Sequence, residues 1–209
     1  MNARCLLLLG SLVLLSACAS EDLKQSEALA NEQRCCKRLE DLPFTDTPAG
    51  KPLKVSVTID SPSFRFKDGK SFVAPLRLAM DRQQGIARLK TFSVTKHITQ
   101  ESEVYCPKIL FLDSDYRVLA NSPEALALYY VGPGLIQADY WFSDFAIPPE
   151  ARFAVLYTPM LVVGKSISYE GVSIGGPIVI GKKPIYSPAY SRTESVPCGQ
   201  IGELEIEVH

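Results

Sequence analysis

After Pro52 the chain alternates between apolar and polar residues with a period of two. The clearest case is residues 53–59, which carry apolar side chains at every odd position and Lys, Ser or Thr between them. Such alternation predicts a strand with one buried face. The same pattern closes the chain over residues 203–208, where glutamate alternates with Leu, Ile and Val. Residues 104–112 are nearly all apolar toward their end, which predicts a central strand buried on both faces.

Turn signals separate many short segments of this kind. They include residues 61–63, 67–70 and 113–115, which are rich in Ser, Pro, Asp or Gly. The chain has 15 prolines and 13 glycines among 209 residues. Short strands and frequent breaks predict a mainly β chain, namely an antiparallel β-sandwich of jelly-roll-like type with one short helix.

The short helix is expected between Ser122 and about Tyr130. Ser122 has the character of an N-cap, and Pro123 suits the first helical position. Beyond this helix, residues 135–147 contain a predicted strand with three consecutive aromatic residues. These are Tyr140, Trp141 and Phe142.

The start of the chain has a different pattern. Arg4 precedes an apolar run of ten residues at positions 6–15, and two small residues follow. A basic start, an apolar stretch and small residues before a cut are typical of a secretory signal, which we assign to residues 1–17. A bilayer-spanning helix needs about 20 apolar residues, so this run is too short to be a permanent transmembrane anchor.

Residues 15–18, with the sequence LSAC, resemble the bacterial lipobox. The resemblance implies that Cys18 is acylated and becomes the first residue of the mature protein, held in a membrane by two or more acyl chains. Ala19 and Ser20 follow, whereas Asp after the cysteine favours the inner membrane in such lipoproteins. The implied location is therefore the outer membrane, facing the periplasm. The alternative is an ordinary cleaved signal with no lipid.

Residues 18–34 are expected to form a polar tether, in which some helix is allowed. They contain no aromatic or β-branched residue and so can bury little surface. Fully extended, this tether would span at most ~55 Å. The remaining residues, 35–209, suit a single domain in length, and we assign the β-sandwich to them.

Four cysteines follow Cys18. An even number in an oxidising compartment predicts two disulfides, and four cysteines allow three pairings. A bridge between adjacent residues is discounted because its ring is strained, and each other pairing ties the start of the domain to its middle and its end. Closing loops of that length stabilises by roughly 4–5 kcal/mol. The four are Cys35, Cys36, Cys106 and Cys198.

Charge and motif content exclude several classes of function. Removal of Arg4 with the signal leaves 21 basic and 23 acidic residues, so there is no basic excess to bind nucleic acid. The chain has two histidines, His97 and His209, and no serine-hydrolase or zinc-protease motif. We therefore expect no enzyme, no cofactor and no metal site. Asp113 and Asp115 could ligate calcium, but the rest of a ligand loop is missing and a hairpin turn is preferred.

Four segments, in order and spacing, are similar to the maltose operon periplasmic protein family. Residues 104–116 (VYCPKILFLDSDY) are similar to a strand and turn of that family, and residues 129–140 (YYVGPGLIQADY) to its glycine-containing connector. Residues 153–158 (FAVLYT) and 202–208 (GELEIEV) are similar to its next core strand and its last strand. The resemblance implies a periplasmic protein associated with carbohydrate transport, and it carries over no catalytic residue.

An aromatic cluster is the candidate ligand site. Tyr140 and Trp141 lie in sequence beside the hydrogen-bond acceptors Asp139 and Asp144. Sugars stack on exposed aromatic rings while carboxylates bind their hydroxyls, but most large aromatic side chains belong to a core. Alternation predicts that Tyr140 and Phe142 share one face of the strand and Trp141 the other.

These observations predict a non-enzymatic lipoprotein that assists carbohydrate uptake of the maltose or maltodextrin type. Its expected partners are the membrane, through the lipid, and either an oligosaccharide or an outer-membrane transport protein. The alternative is a structural or assembly lipoprotein that binds another envelope protein through an exposed sheet edge and binds no sugar.

Overall fold

The structure is a computed structural model. It describes residues 21–31, 35–80, 85–95, 102–122, 128–130, 140–173, 177–180, 183–186 and 190–209. Strands make up most of it. One α-helix, α1 (Glu21–Asn31), comes first, and a short 3-10 helix spans Leu39–Asp41. The strands are β1 (Thr45–Asp46), β2 (Leu53–Val57), β3 (Ser63–Phe66), β4 (Gly69–Arg77), β5 (Ile86–Thr95), β6 (Ser102–Tyr105), β7 (Lys108–Leu112), β8 (Val118–Asn121), β9 (Leu128–Tyr130), β10 (Tyr140–Ala146), β11 (Phe153–Tyr157), β12 (Ser166–Ser173), β13 (Pro177–Ile180), β14 (Lys183–Tyr186), β15 (Tyr190–Gly199) and β16 (Gly202–Val208).

Two sheets contain most of these strands. The first has the order β1-β4-β11-β7-β8, with β3 also paired to β4. In the second sheet, β5 pairs with β10 along one edge and with both β16 and β6 along the other. Beyond these, β9 pairs with β10, β2 with β16, β15 with β6, and β12 with β15. Nearly all pairs are antiparallel; β1–β4 and β6–β15 are parallel. The mainly β, antiparallel sandwich predicted from alternation is thus confirmed.

The core lies between the inner faces of the two sheets. It includes Phe72, Leu76, Ile109, Phe111 and Leu156 from the first sheet and Leu89, Leu204, Ile206 and Val208 from the second. The closing strand β16 therefore buries its Leu, Ile and Val and directs its glutamates outward, as its alternation predicts.

A second apolar layer covers the outer face of the first sheet. Phe66 stacks on Tyr157 with ring centroids 3.8 Å apart, and Phe44 and Tyr116 each lie 4.6 Å from the ring of Phe153. This layer explains why all five residues of β11 are buried. The single central strand predicted over residues 104–112 is instead two strands, with β6 in the second sheet and β7 in the first. Of these, β7 lies between β11 and β8 and buries four of its five residues, as the apolar run predicts.

The helix lies elsewhere than the sequence predicts. Leu128–Tyr130, the end of the expected helix, form β9 instead, because they pair with Tyr140–Phe142 of β10. Residues 123–127 lie outside the described part. The observed helix, α1, falls in the expected tether, and it buries Gln25 and Leu29 against the sandwich. The sequence allowed some helix here but did not predict its docking: two positions four residues apart are enough to dock one helical face.

The disulfide pairing also differs from expectation. Cys106 bonds to Cys198, and Cys35 bonds to its neighbour Cys36 across a cis peptide bond. Parallel pairing of β6 with β15 sets Cys198 opposite Val104, which brings Cys106 within reach. Cys35 and Cys36 pack instead against the outer face of the first sheet, so they are left to pair with each other.

Candidate functional site

The outer face of the second sheet carries the candidate site. Antiparallel pairing of β5 with β10 sets Tyr140 opposite Phe92, Phe142 opposite Lys90, and Asp144 opposite Arg88. Because side chains alternate along a strand, all six project from one face. We call these six residues, together with Glu205 of the adjacent strand β16, the aromatic face.

Three rings form a continuous group on this face. The centroid of Tyr140 lies 6.1 Å from that of Phe92 and 6.1 Å from that of Phe142. All three side chains are partly exposed. Rings held at this spacing on a strand pair form a rigid apolar platform that loses little conformational entropy when it binds a ligand.

Charged side chains border the platform. Lys90 places its Nζ 5.6 Å from the centroid of Tyr140 and 2.8 Å from Oε1 of Glu205. This cation therefore contacts an aromatic ring and a carboxylate at the same time. Register agrees with the contact, since Glu205 lies opposite Lys90 on the adjacent strand.

A second ion pair lies at the other end of the face. Arg88 donates through Nε and Nη2 to the two carboxylate oxygens of Asp144, both at 2.8 Å. Hydrogen bonding from Arg88 holds the pKa of Asp144 below its usual value, and the same bond raises the pKa of Arg88. Both side chains are about two-fifths exposed, at 44% and 42%, so solvent screening leaves this pair worth only about 0–1 kcal/mol of stability.

The arrangement suits a ligand with both apolar and polar surface. The rings offer flat C–H contacts, while the guanidinium donates and the carboxylates accept hydrogen bonds. A sugar has both kinds of surface, with C–H groups on its ring faces and hydroxyls around its edge.

The structure brings together some of the residues proposed from sequence and separates others. Tyr140 and Asp144 share the aromatic face. Trp141 does not: it points inward and is 3% exposed, packed in a cluster with Val162, Val196 and the Cys106–Cys198 disulfide. Its proposal as a ligand residue is corrected: alternation places Trp141 on the face opposite Tyr140, and packing buries it there. Asp139 lies outside the described residues.

Sequence reasoning missed several members of the face. Arg88, Lys90 and Phe92 occupy alternate positions of β5, and Glu205 occupies an outward position of β16. The sequence shows that these residues of each strand lie on the same face of that strand, because they occupy alternate positions. Their apposition to Tyr140 and Asp144 could not be read from the sequence, because it depends on which strands pair and in what register.

The calcium candidate Asp113 serves a turn. Asp113 accepts hydrogen bonds through Oδ1 from the backbone N–H groups of Asp115 and Arg117, at 2.8 and 2.9 Å. These bonds confirm the predicted hairpin turn. In the described ranges no three His, Cys, Asp or Glu side chains come together as a metal site. His97 lies outside those ranges.

No protein-family model, curated protein or solved structure matches the chain. Among the residues that the structure describes, no helix is long and apolar enough to cross a membrane.

Proposed function

We propose that this chain is a non-enzymatic, periplasm-facing lipoprotein that binds oligosaccharide on the aromatic face and assists its uptake. The observation that carries the proposal is the platform of Phe92, Tyr140 and Phe142, bordered by two ion pairs. The signal at residues 1–17 and the lipobox-like Cys18 support the location in the outer membrane.

Maltodextrins are the first ligands to consider. The resemblance of four segments to the maltose operon periplasmic protein family favours a glucose-based oligosaccharide. The platform independently favours a ligand longer than one ring, because it extends over two strands and along one of them. An outer-membrane transport protein is the corresponding partner, which would receive or deliver the sugar.

Titration calorimetry tests the sugar proposal directly. The full lipoprotein is placed in a detergent that has no sugar headgroup and is titrated with a maltodextrin series and with unrelated glycans. We expect heat from the maltodextrins and its loss in Tyr140→Ala. Val118→Ala is the matched control, because Val118 is 56% exposed and lies in the other sheet. Absence of heat with every glycan overturns the proposal.

A second function is favoured by one other observation. In the described part of the first sheet, β8 is the last strand, and Val118 and Leu119 on it are 56% and 38% exposed. A short apolar edge strand can accept a strand from another protein, which matches an assembly role without sugar. Photo-crosslinkers placed at Leu119 and at Phe142 distinguish the two functions. A crosslink to one envelope protein from Leu119 alone, combined with no glycan binding, favours assembly.

A further inference from the structure

One end of the sandwich is closed by helix α1. One face of this helix packs against the domain. It carries Gln25, Ala28 and Leu29, which are three and four residues apart along the helix. Lys70, at the start of β4, donates from Nζ to the backbone oxygen of Leu29 at 2.6 Å. The helix is thus fastened to the hairpin turn between β3 and β4.

The same end exposes a loop with an apolar tip. Met160 packs so closely on the hairpin turn that a Cβ added at Gly69 would lie 2.7 Å from its Cγ. The neighbouring Leu161 is 68% exposed. The loop is held in place from below, because Val162 is buried beside the Cys106–Cys198 disulfide.

The turn that follows β2 places another exposed apolar residue at this end. Gln200 contacts Met160, with Nε2 3.5 Å from Sδ, and Gly202 pairs with Val57, the last residue of β2. The turn after β2 carries Ile59, which is 46% exposed. Ile59, Met160 and Leu161 therefore belong to the end of the sandwich that α1 closes.

Exposed apolar side chains also occur at the opposite end, where Met80, Val118 and Leu119 lie. Strand β4 runs from one end to the other, and its nine residues from Gly69 to Arg77 span about 26 Å. Exposure alone therefore does not distinguish the two ends.

The point at which α1 is fastened favours the first end, because Leu29 meets Lys70 there. Cys18 precedes Glu21, the first residue of α1, by three residues, a reach of at most ~11 Å. From Glu21 to Leu29 the helix rises about 12 Å. A lipid on Cys18 therefore attaches within roughly 25 Å of the fastened end of α1, and no long free tether separates the domain from its membrane.

We propose that the α1 end of the sandwich lies on the lipid bilayer, with Met160 and Leu161 inserted among the lipid headgroups and the outer acyl chains. We call this surface the membrane-facing end. Two exposed lysines near the membrane-facing end, Lys67 and Lys165, can extend their amines to the headgroups. Asp60 and Asp68 lie in the same turns, so the contact is mainly apolar and is expected on zwitterionic lipid. This inference rests on the proposed lipidation of Cys18.

A tryptophan scan of the full lipidated chain tests the proposal. Leu161→Trp and, as the matched control, Leu119→Trp are reconstituted into phosphatidylcholine vesicles with and without brominated acyl chains. Trp141 is buried in both variants and supplies a constant background. We expect a blue shift and quenching by brominated lipid for Leu161→Trp, and for Leu119→Trp continued access to aqueous iodide.

The outcomes separate this inference from the proposed function. Equal iodide quenching of both variants, on protein whose intact mass shows acyl groups on Cys18, overturns the membrane-facing end and leaves the sugar proposal unaffected. An intact mass without acyl groups overturns both the anchor and the membrane-facing end. If the unsubstituted chain binds no glycan while Leu161→Trp is quenched by brominated lipid, the sugar proposal alone is overturned.

Discussion

Tyr105 is fully buried and carries its hydroxyl into the interior of the domain. Among the described residues, this hydroxyl has no partner with good hydrogen-bond geometry. Burial raises the pKa of Tyr105 above its ordinary 10.0, and the nearby Thr158 hydroxyl opposes that rise. At the scale of single residues the interior thus retains a polar group whose ionisation works against folding.

Tyr105→Phe tests the cost of that hydroxyl. Removing a poorly paired buried group is expected to leave the free energy of unfolding unchanged or to raise it by up to about 1 kcal/mol at pH 7. Because the pKa is higher in the folded chain, the wild type should lose stability relative to the variant as the pH rises above the ordinary 10.0. Urea unfolding at pH 7 and pH 10.5 measures both. A loss above 1 kcal/mol at pH 7 would reveal a strong partner.

Asp144→Asn separates ligand binding from stability on the aromatic face. The pKa of Asp144 is lowered by its bond to Arg88, so its stabilisation is present above its unfolded pKa and lost as the pH falls through the folded one. Since the pair is exposed, the variant should cost less than about 1 kcal/mol in urea unfolding. Its maltodextrin affinity should fall several-fold by calorimetry. Arg117→Ala, which disturbs another exposed ion pair, should leave the affinity unchanged.

Strand pairing acts at the scale of elements, and it decides which cysteines meet. The parallel contact of β6 with β15 brings together residues separated by 92 positions. Closing so long a loop restricts the unfolded chain far more than a bond between adjacent residues does. The two disulfides are therefore unequal in their effect on stability.

The double variant Cys106→Ala, Cys198→Ala should lose roughly 3–5 kcal/mol of unfolding free energy. Cys35→Ser, Cys36→Ser is the matched control, and it should lose much less. Urea unfolding measures the difference, and mass spectrometry of non-reduced digests reports the pairing in the wild type. A peptide linking Cys36 to Cys106 would contradict the observed pairing.

Docking of α1 is a second event at this scale. Leu29 is 4% exposed and joins the main core, so Leu29→Ala should cost about 2 kcal/mol or more. Hydrogen exchange should show faster exchange throughout Glu21–Asn31 with little change in β4. Glu27→Ala, an exposed position on the same helix, should leave exchange unaltered. If the helix exchanges freely in the wild type, α1 is not docked in solution.

For the whole molecule, the two proposed surfaces have different orientations. The aromatic face is one side of the second sheet, whereas the membrane-facing end is the end of the sandwich at which α1 docks. A lipoprotein resting on that end would hold its sheet faces sideways to the bilayer. Sugar could then reach the platform without crossing the contact with lipid.

Sorting of the mature chain is a prediction about the whole molecule. Under the proposed lipidation of Cys18, Ala19→Asp would place an acidic residue directly after the acylated cysteine, which should move the protein from the proposed outer-membrane location to the inner membrane. Sucrose-gradient fractionation of the envelope measures the change. Ala30→Asp, an exposed position within α1, should leave the distribution unchanged, and Cys18→Ser should release the protein from both membranes.

Much of the architecture was predictable because it rests on local pattern. Alternation in residues 53–59 and 203–208 identified β2 and β16, and continuous apolarity identified β7, since period and burial are written into each strand. The turn at Asp113 was predictable for the same reason: its side chain bonds the backbone only two and four residues away.

Tertiary structure decided what depends on distant partners. Tyr129 and Tyr130 became strand rather than helix because β10 supplied the pairing. Cys106 paired with Cys198 because β6 and β15 run side by side. Sequence placed Tyr140 and Trp141 on opposite faces, but only tertiary packing against Val162 and the Cys106–Cys198 disulfide determined that Trp141 is the buried one. Local sequence sets the period of side chains, whereas nonlocal pairing and burial set which of them meet and which face solvent.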